Sequence, residues 1–182
     1  SENENFREFT DAIFRDNVSG DILSLHTILQ HPENYGITNY EKTLGRYNLD
    51  NPTNSSDISD CLTQLNSFDK NSLSKDQQIT YELLKKYLET KLEYCDLFLL
   101  DTDLSTTIGI QVQLPIIFAE YTFNEVKDID EYLCAVEDTD EFFENLIEYE
   151  KMRSEKGYFM EASLAEEIIE QIGNKLQEVG EK

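Results

Sequence analysis

The chain has 182 residues, 39% of them hydrophobic, and a formal net charge of −23. This length and apolar content are sufficient for one domain with a substantial core, and ten Phe and ten Tyr argue against a disordered chain. The excess of 38 acidic over 15 basic residues would repel a phosphate backbone or an anionic membrane, so we expect no nucleic-acid partner. The same charge would attract a cationic peptide, although a solvated acidic face that aids solubility explains it more simply.

Helix-breaking residues are scarce, with 7 Gly and 3 Pro, and apolar residues recur at helical spacing. The sequence therefore predicts an all-α fold, an irregular bundle of seven or eight helices in a single domain over residues 1–182. Four helices are predicted in the first half, the first reaching residue 17 and the others spanning residues 21–30, 57–68 and 74–98. The buried stripe of the last of these is predicted to be Ile79, Leu83, Tyr87, Leu88, Leu92 and Cys95.

Sixteen consecutive residues, 104–119, carry no charge and read LSTTIGIQVQLPIIFA. This segment is too short and too polar to span a bilayer, so we expect no membrane insertion. Apolar and polar residues alternate over 108–114, which predicts an extended segment near residues 104–114, and Pro115 suits the first turn of a short helix that follows. The alternative is a fully helical segment kinked at Pro115. In either case we expect the segment to form the deepest part of the core or one wall of a groove.

Three further helix starts are predicted where an Asp or Ser is followed three residues later by Glu: Asp128, Asp138 and Ser163. The helix from about Thr139 is expected to stop at Gly157. The last helix is predicted to bury Leu164, Ile168, Ile169, Ile172 and Leu176.

Sequence signatures of catalytic and metal sites are lacking, so we predict no catalytic residue, metal ligand or cofactor in this chain. His26 and His31 are five residues apart across Pro32, so they do not form the one-face pair of a helical zinc motif. The three cysteines are far apart and form no CxxC pair. Asp101, Asp103 and Ser105 resemble the opening of a calcium loop, but the required Gly and Glu are missing further on, so we expect them to serve turns.

Three polar residues of the uncharged segment and its end are candidates for contact with a ligand. If the segment is extended, Gln111 and Gln113 point to the same face, where their amides suit the backbone of a bound peptide. The simpler interpretation is that both amides satisfy loop backbone within this domain. Glu120 adjoins the segment, and burial there would raise its pKa, although a partly exposed Glu in a short helix is the simpler interpretation.

Four stretches of the chain resemble one family: SLHTILQHPENYGI (24–37), FDKNSLSKDQQITYELLKKYLE (68–89), STTIGIQVQLPIIFAEYTF (105–123) and DIDEYLCAVEDTDEFFENLIEYEKMRSEKGYFM (128–160). Together they resemble the N-terminal part of bacterial proteins of domain-of-unknown-function family 885.

The resemblance implies a larger, mostly helical protein, often exported and lipid-anchored, whose C-terminal part carries a His-Glu-x-x-Pro-Gly-His motif typical of a zinc metallopeptidase. That motif is absent here. We therefore expect an extracytoplasmic N-terminal fragment, non-catalytic by itself, whose partners are the missing C-terminal half and a peptide. The uncharged segment with Gln111, Gln113, Glu120 and Tyr121 is the candidate side facing the substrate cleft.

Two other functions remain open at this point. The chain could be a self-sufficient helical module that binds a peptide or protein, or a purely structural domain whose uncharged segment is core. Full burial of residues 108–118 would favour the structural domain, and exposure would favour the other two.

Overall fold

The computed structural model describes the backbone of residues 1–180 and the side chains of residues 1–174. Within that part of the chain there are eight α-helices and no β-strand, which confirms the all-α prediction. The helices are α1 (Glu2–Val18), α2 (Ile22–Ile28), α3 (Ser55–Asn66), α4 (Lys75–Tyr94), α5 (Ile110–Ala119), α6 (Lys127–Glu137), α7 (Thr139–Glu155) and α8 (Ala162–Gly180). Over the described residues, none of these helices is both long enough and apolar enough to cross a bilayer.

The chain divides into two compact units, one from Ser1 to Phe98 and one from Leu99 onward. The first unit contains α1–α4 and the second contains α5–α8. The single domain expected from the sequence stays a prediction, because two compact units can still fold cooperatively.

The core of the first unit combines two aromatic side chains of α1 with residues of α3, of α4 and of the segment between them. The core residues are Phe6, Phe9, Leu65, Leu73, Tyr81 and Leu88. The Phe6 ring meets Phe68 edge-on, with centroids 5.3 Å apart, and lies 6.3 Å from the Tyr81 ring. Such aromatic pairs stabilise a core beyond the area they bury. The core therefore depends on α1 packing against α4 and against the C-terminal end of α3, where Leu65 and Phe68 lie.

Polar contacts join the N-terminal ends of α1 and α4. The Ser74 N–H donates to Asn3 Oδ1 at 2.8 Å, and Gln77 Nε2 donates to the Asn3 carbonyl at 2.8 Å. The predicted capping box is present, since Ser74 and Gln77 also bond to each other's backbone N–H. Because Asn3 meets the start of α4 and Phe6 meets Tyr81 one turn later, α1 and α4 run in the same direction.

The predicted buried stripe of α4 is wrong for three of its residues. Ile79 is 60% exposed and Leu83 68% exposed, and Tyr87 is also exposed. The helix turns Tyr81 and Leu88 inward instead. The aromatic core around Phe6 favours this face, so tertiary packing outweighs the position of the most apolar stripe.

The second unit departs from the sequence prediction in its first and last helices. Residues 110–114 are helical rather than extended, since α5 starts at Ile110 and contains Pro115. The alternative of one helix through Pro115 is therefore correct from residue 110, whereas residues 101–109 form a loop. In α8, Ile168 is buried but Leu164, Ile169 and Ile172 are exposed, and the side chain of Leu176 lies outside the described residues.

We predict that Leu65→Ala lowers the free energy of unfolding by about 2–5 kcal/mol, because Leu65 is fully buried and its removal leaves a cavity. Leu83→Ala is the matched control, and its exposed side chain should change that free energy by no more than about 0.5 kcal/mol. Urea unfolding followed by circular dichroism measures both. Equal losses in the two variants would contradict this assignment of the core.

Candidate functional site

The loop that precedes α5 is folded around Ser105. Its Oγ accepts hydrogen bonds from the backbone N–H of Thr107 at 3.3 Å and of Ile108 at 3.1 Å. The Asp103 carbonyl accepts from the Ile110 N–H at 2.7 Å. These bonds satisfy backbone groups at the helix start, which has no side-chain cap of its own. The predicted turn role is therefore confirmed for Ser105.

The side chain of Gln111 connects the first turn of α5 to this loop and to α8 through hydrogen bonds. Its Nε2 donates to the Ser105 carbonyl at 2.6 Å and to Gln171 Oε1 at 3.4 Å. Gln171 Nε2 in turn donates to the Thr106 carbonyl at 2.9 Å. Gln111 is only 8% exposed, so the simpler interpretation of its amide, a bond to loop backbone, is confirmed. Among the described residues its Oε1 has no hydrogen-bond partner.

Two residues of α7 hold the beginning of the same loop. Arg153 is 6% exposed and donates from Nε to the Leu99 carbonyl at 2.9 Å. Its Nη1 meets both carboxylate oxygens of Glu150 at 2.8 Å, so its buried charge is compensated. The Tyr149 hydroxyl donates to the Asp101 carbonyl at 3.2 Å. Sequence patterns did not single out these residues, because a helix-borne Arg next to Glu usually forms an exposed pair.

The helical form of α5 separates the two glutamines. They were predicted on one face because an extended segment returns every second side chain to the same side. In a helix, residues two apart point in different directions, and Gln111 is buried while Gln113 is half-buried. A shared amide pair facing a peptide is therefore not formed.

Four residues at helical spacing make up the outward side of α5, which we call the α5 outer face: Gln113, Ile116, Ile117 and Glu120. Ile116 and Ile117 are both exposed, and Ile108, just before the helix, is 75% exposed. Glu120 is exposed at the C-terminal end of α5, which confirms the simpler interpretation of an exposed Glu at a short helix. The uncharged segment is thus not fully buried.

Tyr121 lies on the inward side of the chain as it leaves α5, within an aromatic cluster. The cluster consists of Phe118, Tyr121, Phe123 and Tyr132. The Tyr121 ring centroid is 5.1 Å from that of Phe123 and 5.2 Å from that of Tyr132. Burial raises the pKa of the Tyr121 hydroxyl, and the negative charges of Glu131 and Asp128 raise it further. Tyr121 therefore stays protonated well above the pH at which an ordinary tyrosine ionises.

Two carboxylates of α6 are buried, which the sequence did not predict. Asp128 Oδ2 accepts from the backbone N–H of Asn124 at 2.6 Å and of Glu125 at 2.8 Å. Glu131, one turn later, is also buried. The capping-box spacing picked out both residues, but Asp128 caps the turn before the helix rather than the helix itself, which begins at Lys127.

We predict that Gly109→Ala destabilises the second unit by about 1–3 kcal/mol. An added Cβ would lie 2.1 Å from Gln111 Oε1 and 2.4 Å from the Ser105 backbone N, which leaves no room without moving the loop. The control is Gly173→Ala in α8, where a Cβ has open space and should stabilise the helix by about 1 kcal/mol. Thermal unfolding measures both variants. A Gly109→Ala variant that is as stable as the wild type would refute the packing of Gln111 against the loop.

We predict that the free energy of unfolding falls less steeply with rising alkaline pH in Tyr121→Phe than in the wild type. The pKa of the Tyr121 hydroxyl is higher in the folded protein than in the unfolded chain, where it ionises above about pH 10. Because the unfolded chain loses this proton first, the free energy of unfolding has its full value below that pH and falls as the pH rises. The wild type should lose up to about 1.4 kcal/mol per pH unit more than the variant. Urea unfolding between pH 9 and 11.5 checks this, with Tyr158→Phe at an exposed position as control. Equal slopes for wild type and Tyr121→Phe would show that the hydroxyl is not held protonated by the fold.

Comparison with known proteins gives a family but no function. Residues 35–182 match the family model described as bacterial protein of unknown function (DUF885). Neither a curated protein nor a solved structure matches the chain. Because the match covers more than half of the chain and includes the α5 outer face and the loop before it, this protein belongs to the DUF885 family of bacterial proteins of unknown function.

Proposed function

We propose that this chain is the non-catalytic helical region of a zinc metallopeptidase-like protein and that the α5 outer face lines its peptide cleft. The observation that carries the proposal is the exposure of Ile108, Ile116 and Ile117 in the longest uncharged stretch of a strongly acidic chain. Exposed apolar side chains in such a stretch favour contact with another surface.

The chemistry of the α5 outer face suits an extended peptide. Gln113 offers an amide donor and acceptor, and Glu120 offers a carboxylate that can accept from a peptide N–H. Seven residues of helix separate them by about 10 Å along the axis, which corresponds to about three residues of an extended chain. Ile116 and Ile117 lie between them and would contact the side chains of the peptide.

The four predicted cleft residues take different roles in this proposal. Gln113 and Glu120 would contact the peptide. Gln111 and Tyr121 would instead position α5, because the former bonds to the loop backbone and the latter packs in the aromatic cluster. Rigid support of this kind keeps a binding face in one geometry.

The catalytic chemistry would come from the rest of the longer protein. A zinc ion held by the His-Glu motif that the family resemblance implies would activate the water that attacks the peptide bond. Export and lipid anchoring of that protein are part of the same proposal. The partners of this chain are then the C-terminal half and a peptide.

A binding module without a catalytic half is the second candidate, since the same exposed face would serve it. The two differ in what a chelator does. Removal of zinc should abolish peptide hydrolysis by the longer protein, whereas a binding module shows no hydrolysis to abolish.

The test is peptide hydrolysis by the longer protein, with and without chelator, in wild type and in Ile116→Ser. We expect chelator-sensitive hydrolysis, and in the variant a KM raised at least fivefold with kcat nearly unchanged, because the lost contact contributes to binding alone. Ile147→Ser, at an exposed position of α7, is the matched control and should keep the wild-type KM. Hydrolysis that persists without metal, or equal KM values in all three proteins, would overturn the proposal.

A further inference from the structure

Helix α6 buries a side that carries two carboxylates and exposes an apolar side. Its inward residues are Asp128, Glu131 and Ala135. Away from them lies an apolar row that begins just before the helix, which we call the α6 outer row: Val126, Ile129, Leu133 and Val136. These four side chains are between 42% and 82% exposed. An amphipathic helix of a soluble domain has its apolar stripe inward, so the α6 outer row indicates a surface that a partner covers.

The spacing of the α6 outer row suits contact with a second helix. Its members follow one another at i, i+3, i+7 and i+10, which places them on one stripe of about 15 Å. Such a stripe forms a ridge that packs against the apolar side of another helix. An extended peptide needs partners for its backbone, and a row of Val, Ile and Leu side chains has no polar atom to supply them. A helix bonds its backbone internally, so it is the occupant that this row fits.

Carboxylates border the α6 outer row along one edge. Asp130 and Glu137 are both exposed, and they lie three residues before and four residues after Leu133. The two are seven residues apart, which is two helical turns or about 10 Å. Residues 128–150, which include most of α6 and α7, contain ten acidic residues and no basic one. The negative charge is therefore present in the helix that carries the row and in the helix that follows it.

The basic residues at the two ends of this acidic segment are already paired. Lys127 Nζ lies 3.3 Å from a carboxylate oxygen of Glu125. Lys151 Nζ lies 2.6 Å from one of Glu148, and Arg153 is buried in its ion pair with α7. Because these charges are compensated locally, the surroundings of the α6 outer row attract cations. A second copy of this chain would be repelled, whereas a helix with Lys or Arg beside its apolar stripe would be attracted.

We propose that the α6 outer row binds a cationic amphipathic helix. Apolar side chains of the partner pack on Ile129 and Leu133. Lys or Arg residues two turns apart along one edge of its apolar stripe pair with Asp130 and Glu137. The proposal does not rest on the peptidase function, since the α6 outer row shares no residue with the α5 outer face.

The first test measures the apolar contact with a fluorescein-labelled 18-residue peptide that has Leu along one helical side and Lys on the others. Its anisotropy at 150 mM salt should show saturable binding to the wild type. Leu133→Gln should bind at least tenfold more weakly, because it removes an apolar contact without changing the net charge. This variant should fold, since Leu133 is exposed, and circular dichroism checks that it does. Ile169→Gln, at an exposed position of α8, is the matched control and should bind as the wild type does.

The second test separates the charge beside the row from the net charge of the chain. Asp130→Asn with Glu137→Gln, and Glu166→Gln with Glu170→Gln, each remove two negative charges from exposed positions of the second unit. The first double variant should weaken binding at least fivefold and the second less than twofold, because salt screens all but the nearest charges.

Four results would each overturn the proposal. They are no saturable binding to the wild type, equal affinity of Leu133→Gln and Ile169→Gln, equal losses in the two double variants, and a Leu133-dependent dimer in sedimentation. A peptide with a central Pro tests the helical form of the partner, since Pro breaks the helix. It should bind at least tenfold more weakly, and unchanged affinity would also contradict the proposal.

Discussion

The placement of the loop before α5 depends on how the backbone carbonyls between Leu99 and Thr106 find hydrogen-bond donors. A loop that precedes a helix carries polar groups that are costly to bury without partners. Side chains from three helices supply these donors: Gln111 from α5, Tyr149 and Arg153 from α7, and Gln171 from α8. Through these polar contacts, one loop links α5 to the two long helices α7 and α8.

These hydrogen bonds explain why α5 buries a polar side chain and exposes apolar ones. Gln111 turns inward because the loop needs its amide, and Leu114 follows on the same side. Ile116 and Ile117 are then carried to the outside by the helical period. The exposed apolar surface is therefore a consequence of how the loop is held, and it leaves a face that another polypeptide can cover.

The sequence predicted the helices well and their orientation less well. Capping and stop signals such as Ser74 with Gln77, and Gly157 after α7, act locally, so they can be found without tertiary information. The inward side of α4 could not be found in this way, because the Phe6 aromatic cluster rather than the Ile79–Tyr87 stripe sets it. Alternation over residues 108–114 indicated a strand, yet no neighbouring strand exists among the described residues to pair with it, and the segment is helical. Arg153 and Gln171 were missed because their partners are backbone carbonyls, which have no sequence signature.

We propose that the α5 outer face is covered when this chain is part of a longer family member. Thiol labelling of Ile117→Cys, with the three native cysteines replaced by serine, measures this directly. We expect fast labelling in the chain alone and labelling at least tenfold slower in the longer protein, with Ile147→Cys reacting equally in both. Equally fast labelling of position 117 in the two proteins would contradict the claim.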